Sequence, residues 1–121
     1  IKKRYPGQAK KVMMGLWGTG QLALTKMFVV VDDDVNVHDM NDVIWAITTR
    51  TDAARDITII NNTPTDTLDP ASPLVNLGSK LGIDATQKTA EEGFEREIQE
   101  KVQVDDETKK LVDSKWSEYG I

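Results

Sequence analysis

The sequence predicts an α/β unit, a three-layer arrangement around a small, mostly parallel sheet, and three observations carry that prediction. Five unbroken apolar residues, Met27 to Val31, run straight into Asp32-Asp33-Asp34. A short β-branched run of this kind reads as a strand buried on both faces. Helical periodicity lies on either side of it, and a second short apolar run, Ile57 to Ile60, repeats the strand signal. The first half therefore reads helix, strand, helix, strand, with connections short enough for one compact unit.

Each element has its own justification. Ile1 to Arg4 opens abruptly before the Tyr5-Pro6-Gly7 turn. Taken as the tail of a preceding strand, it makes the unit βαβαβ. From Gln8 to Trp17 the residues Ala9, Val12, Met13, Leu16 and Trp17 share one helical face, and Gly18 and Gly20 end the pattern. Asp39 or Asn41 can cap the next helix, where Met40, Val43, Ile44 and Ile47 recur at i, i+3, i+4 and i+7. Trp45 points about 150° away from that stripe at 100° per residue. It reads either as packed under a loop of its own chain or as an interface residue.

The second half is less regular. Asn61 to Lys88 holds Pro64, Pro70, Pro73, Gly78 and Gly82 and shows no clear period. Irregular stretches of this length are usually functional or lie against a partner. A closing helix is clearer: Asp105, Asp106 and Glu107 suit its N-terminus, and Leu111, Val112, Trp116 and Tyr119 form its apolar face. The expected organisation is one domain over 1–121, with an α/β core over 1–60, an irregular segment over 61–104 and a C-terminal helix over 105–119.

Composition excludes several classes. The 121 residues carry a net charge of −5, which argues against a nucleic-acid binder, and the basic cluster Lys2, Lys3, Arg4, Lys10 and Lys11 reads as solvated surface. There is no cysteine, hence no disulfide, thiol nucleophile or zinc–thiolate site. With no apolar span of membrane length and no signal peptide, the expectation is a soluble, cytoplasmic protein.

The triple aspartate invites chemistry, because ligands gather beyond the carboxyl ends of parallel strands. A receiver-like phosphoacceptor would need a lysine at a later strand end, and an Asp-x-Asp clamp for a nucleotide sugar would need more chain. The plainer reading is that Asp34-Val35-Asn36 turns the chain while Asp32 and Asp33 are solvated or paired with a nearby cation. His38 is the only histidine and reads as a loop residue. Gly18-Thr19-Gly20 follows a helix rather than a strand, and Gly78 to Gly82 lacks Walker spacing. No complete catalytic constellation emerges from the residues alone.

Three ordered segments, Tyr5–Gly18 (YPGQAKKVMMGLWG), Thr25–Arg50 (TKMFVVVDDDVNVHDMNDVIWAITTR) and Ala71–Thr86 (ASPLVNLGSKLGIDAT), together resemble the C-terminal domain of UbiD-type decarboxylases. The resemblance runs from Ile1 to about Lys88 and resumes at Trp116–Ile121 (WSEYGI), while 89–106 lacks the family's Trp-rich stretch. It implies reversible decarboxylation of an aromatic acid, such as 4-hydroxy-3-polyprenylbenzoate of quinone biosynthesis. The cofactor implied is prenylated FMN with manganese and potassium, supplied by a flavin prenyltransferase. The family's cofactor site and catalytic residues lie in a preceding domain, so the resemblance places no catalytic, cofactor-binding or metal residue in this chain, which alone should be inert. It implies a lid and assembly role in a homo-oligomer, in contact with membranes only through a lipophilic substrate. Lys26, Asp32, Asp33 and Asp34 are then expected to line the cleft, and Trp45 and Trp116 to meet another domain or subunit. The rivals are a receiver-like signalling domain and a self-contained oligomerisation module.

Overall fold

The computed structural model describes residues 1–97 and 101–120. Its elements are α1 (Gln8–Trp17), β1 (Met27–Val31), α2 (Met40–Arg50), a single-turn α3 (Ala53–Asp56), β2 (Ile57–Pro64), β3 (Leu77–Ala85) and α4 (Asp106–Ser114). Short 3-10 turns cover Gly20–Leu24, Ala90–Glu92 and Trp116–Glu118. The sheet order is β1-β3-β2, with β1 parallel and β2 antiparallel to β3. The expected mixed α/β architecture, with its small sheet and closing helix, is present.

The central strand is β3, and it lies inside the segment expected to be irregular. Its sequence alternates, but with inverted polarity. Gly78, Lys80, Gly82 and Asp84 are buried, whereas Leu77 is exposed and Leu81 and Ile83 are half-buried. Gly82 explains part of this, since a Cβ there would stand 2.5 Å from the Met13 sulfur. Helix α1 thus approaches the sheet closely only because β3 has no side chain at that point. Ile57–Ile60 is a strand as expected, but it belongs to an edge and extends to Pro64 through an irregularity around Asn62, whose φ is 53°.

Two apolar clusters lie on opposite faces of the sheet. Ala9, Met13 and Trp17 of α1 pack on Val30, with Phe28 and Ile60 beside them. On the other face, Ala46 of α2 packs on Val31, Val35 and Ala85, joined by Val43, Trp45 and Ile47. The buried side of α2 is therefore Val43, Ala46 and Ile47, rotated from the expected stripe, and Met40 and Ile44 are exposed. Asp39 caps α2 by accepting the Asn41 N–H at 2.9 Å.

Helix α2 covers only one end of its sheet face. In register across the three strands, Met27, Leu81 and Ile59 form an apolar row at the other end. Met27 is 51% and Ile59 65% exposed. From Lys101 to Gly120 every described residue except Val112 is exposed, so α4 presents Leu111, and the turn after it Trp116 and Tyr119, to solvent. No helix among the described residues is long and apolar enough to cross a membrane.

Candidate functional site

Strands β1 and β3 end side by side, and the segments just beyond their carboxyl ends build the site. After Val31 come the three aspartates; after Ala85 come Thr86, Gln87 and Lys88. A cleft of about 690 Å³ opens between Asp32–Asp34, the Lys2–Pro6 segment and Gln87–Glu91. The N-terminal segment is pinned to its far wall. Lys3 Nζ donates to the Gln87 carbonyl at 2.9 Å and meets Glu92 at 2.6 Å. Burial pushes the Glu92 carboxyl up, but the Lys3 hydrogen bond and the Thr89 N–H outweigh it and hold its pKa below the usual value.

The aspartates are not equivalent. Asp34 accepts two hydrogen bonds from Arg50, Nη1 at 3.0 Å and Nη2 at 2.6 Å, and these hold its pKa below the ordinary carboxylate range. Asp32 accepts the Gln87 N–H at 2.6 Å and lies 3.6 Å from Arg50. Asp33 alone is exposed with no side-chain partner among the described residues. Turning the chain and pairing with a cation thus accounts for two of the three acids.

A second cavity of about 540 Å³ adjoins the first across Gln87 and is lined by Trp45, Arg50, Lys88, Phe94 and Lys101 among others. Trp45 lies half-buried against the α2 core, with the Arg50 guanidinium 4.9 Å and the Lys101 ammonium 5.1 Å from its ring. Lys101 also pairs with Asp42. In the wall of the second cavity, Lys88 is buried and donates to Asp84 Oδ1 at 3.1 Å and to the Thr86 carbonyl at 2.7 Å, with Asp56 at 3.6 Å. Its ammonium is taken up by Asp84, Thr86 and Asp56 and forms no ion pair with Asp32–Asp34 among the described residues, which leaves the receiver-like reading without its lysine.

Lys26 is elsewhere. It precedes β1 while the aspartates come after it, so the two groups occupy opposite ends of the strand. Lys26 bridges to Asp69 at 2.9 Å in the 65–76 loop, and Asp69 is held below the usual carboxylate range chiefly by that bond. Beside it, Lys80 is 3% exposed and donates to the carbonyls of Pro64 (2.8 Å) and Thr25 (3.4 Å), tying the loop base to the start of β1. Burial pushes the Lys80 pKa down.

Sequence reasoning missed Arg50, Asp56, Asp84 and Lys88. A period-two pattern over 77–85 would have found Asp84 on the glycine-bearing face, and with it Lys88 four residues on. The donor set does not suit a flavin phosphate or a divalent cation. Lys2 and Arg4 face three carboxylates across the cleft, both oxygens of Asp34 and Oδ2 of Asp32 are already engaged, and no cluster of three metal-ligating side chains occurs among the described residues. No chemical step is assigned to such a group within this chain.

Residues 1–85 match the family described as the 3-octaprenyl-4-hydroxybenzoate carboxy-lyase C-terminal domain, and the chain belongs to that family, UbiD_C. A protein of Archaeoglobus fulgidus is 61% identical over 98% of the chain, which spans 24% of that relative. The vanillic acid decarboxylase of Sedimentibacter hydroxybenzoicus, solved in open and closed forms, is 34% identical with a TM-score of 0.79 in each. That likeness covers 98% of this chain and 25% of the decarboxylase. The UbiD-class enzyme HmfF of Pelotomaculum thermopropionicum, solved with FMN, is 32% identical with a TM-score of 0.75, over 93% of this chain and 24% of its own. The chain thus spans about a quarter of the length of the proteins it matches.

Proposed function

We propose that this chain is the C-terminal lid and assembly domain of a UbiD-class carboxy-lyase. The whole enzyme uses prenylated FMN, with manganese and potassium, to decarboxylate an aromatic acid such as 4-hydroxy-3-polyprenylbenzoate in quinone biosynthesis. It works in the cytoplasm, as a homo-oligomer served by a flavin prenyltransferase. The cofactor and catalytic groups belong to the preceding domain, and this chain supplies surfaces. The observation that carries the reading is the contrast between its interior and its exterior. The buried acids Asp56 and Asp84 are paired with Arg55 and Lys88 inside the chain, while an apolar row on the sheet and the apolar side of the C-terminal helix face outward. Large exposed apolar patches mark interaction surfaces. A decarboxylase relative that exists in open and closed forms supports a moving domain. Asp33, with Lys2 and Arg4 opposite, is the part of the cleft free to face the preceding domain.

The test is activity with prenylated FMN and a panel of aromatic acids. The full-length protein is expected to release carbon dioxide, and the 121-residue chain to neither bind flavin nor turn over. Flavin binding by the short chain would overturn this division of labour.

A further inference from the structure

The first residue of the chain already lies on an open edge of the sheet. The Leu81 N–H donates to the Lys26 carbonyl at 3.0 Å, and Met27 pairs with Leu81, so the backbone groups of Lys26, Phe28 and Val30 face β3. Those of Met27, Val29 and Val31 face the opposite way, because backbone groups alternate along a strand. At that outer edge the Ile1 nitrogen donates to the Val31 carbonyl at 2.7 Å in a part-buried position.

This bond sets both register and direction. In a parallel pair an N–H reaches the residue before its own partner, which sets Ile1 opposite Asp32. Paired residues point to one side, and the Ile1 side chain does pack with Val30 and Phe28 on the α1 face. From Ile1 the chain runs onward past the carboxyl end of β1, where Lys2 and Arg4 share a cleft with Asp32–Asp34. The chain therefore travels in the same direction as β1.

We propose that the polypeptide immediately before Ile1 forms a fourth strand, parallel to β1 and outside it. About five residues match the length of β1. The residue two positions before Ile1 takes the Val29 carbonyl and the Val31 N–H and faces α1, while the residue directly before Ile1 faces α2. Both are apolar, because helices cover both sides of β1 at this level. The occupant is the protein's own upstream segment rather than a second copy: the relatives are about four times as long as this chain, and Ile1 already fixes the register. The preceding domain then enters through a strand of the sheet and not through a flexible tether, so any hinge lies upstream of that strand. This inference stands independently of the proposed decarboxylase activity.

Residue-resolved amide hydrogen exchange on the full-length protein tests it. The Val29 and Val31 amides are expected to be protected to within about tenfold of Phe28 and Val30, together with the amide two positions before Ile1. Exchange at Val29 and Val31 about 100-fold or more faster than at Phe28 and Val30 would show a free edge and overturn the proposal. Protection of Val29 and Val31 that disappears on dilution would assign the edge to a second copy and overturn it equally.

Discussion

Arg50 closes on Asp34 through a two-point contact while its guanidinium lies 4.9 Å from the Trp45 ring and 3.6 Å from Asp32. One side chain thereby joins the last turn of α2 to the end of β1. Asp34 is half-exposed, so solvent screens much of that ion pair. The greater loss on truncation is the nearly buried guanidinium between Asp32 and Trp45. Arg50→Ala is expected to lower the unfolding free energy by about 1–3 kcal/mol. Arg50→Lys should recover less than half of that, because an ammonium makes no planar two-point contact. Urea denaturation of both variants measures it, and a Lys variant equal to wild type would refute the role given to the guanidinium geometry.

The charge pairs set the pH dependence. Burial pushes the Asp56 carboxyl up, but hydrogen bonds from Arg55 and the Asp52 N–H, with Lys88 nearby, hold it below its ordinary value. Asp34 and Glu92 are depressed as well. Carboxylates depressed in the folded state contribute stability that is complete above about pH 5 and is lost as pH falls through about 4 and below. Lys80 acts at the other end. Its folded pKa lies below 10.5, so the unfolded chain binds more protons there and stability rises as pH climbs toward that value. Unfolding free energies measured from pH 3 to 10 should show an acid loss, and an alkaline gain that Lys80→Met abolishes. An unchanged alkaline slope in that variant would contradict the assignment.

Lys88 offers a sharper loss. Its ammonium neutralises Asp84 and faces Asp56, with all three side chains within a few percent of full burial. Lys88→Met leaves Asp84 buried without a cation, while Asp56 keeps its Arg55 contact, an imbalance expected to cost about 3–5 kcal/mol. Adding Asp84→Asn should return part of that stability. Calorimetry of the single and double variants decides it, since a strictly additive double variant would mean that Lys88 and Asp84 do not act as a pair.

Legibility in the sequence tracks the physics of burial. Helix α1 is readable because its apolar residues recur at the helical period, and strand β1 because it is a short unbroken apolar run. Strand β3 hides because its packed face carries glycines, Lys80 and Asp84, while its leucines and isoleucine face the partly open side. The orientation of α2 is misread for a related reason. Met40 and Ile44 are apolar but lie on the uncovered half of the molecule, so hydrophobicity marks two surfaces and only one is the internal core. The aspartates are readable as a strand end, whereas their partner Arg50 lies 16 residues away and is joined to them only by the fold.

Gly82 is the point at which α1 and the sheet come closest. A Cβ there would stand 2.5 Å from Met13 Sδ and 3.0 Å from Trp17 Cη2. Methionine can yield but the indole is fixed, since Trp17 Nε1 donates to the Thr25 carbonyl at 2.9 Å. Gly82→Ala is expected to cost about 1–3 kcal/mol by overpacking, and Gly82→Val more. Pairing Gly82→Ala with Met13→Ala should relieve part of the strain. Thermal unfolding tests this, and a Gly82→Ala protein as stable as wild type would show that the helix can retreat freely.

The two tryptophans expected at interfaces separate in the structure, and their variants should separate too. Trp45 is half-buried against its own core and stacked by Arg50 and Lys101, whereas Trp116 is 55% exposed near the exposed Leu111 and Tyr119. In the full-length protein, Trp45→Ala is expected to destabilise this domain by about 2–3 kcal/mol while subunit association holds. Trp116→Ala should leave the domain's melting temperature within about 2 °C and weaken association tenfold or more, the loss of one aromatic anchor at about 1.4 kcal/mol or above. Sedimentation velocity across a dilution series, alongside calorimetry, distinguishes them. Unchanged association in Trp116→Ala would remove the C-terminal helix from the assembly surface and leave the apolar row of Met27, Leu81 and Ile59 as the face that meets the rest of the protein.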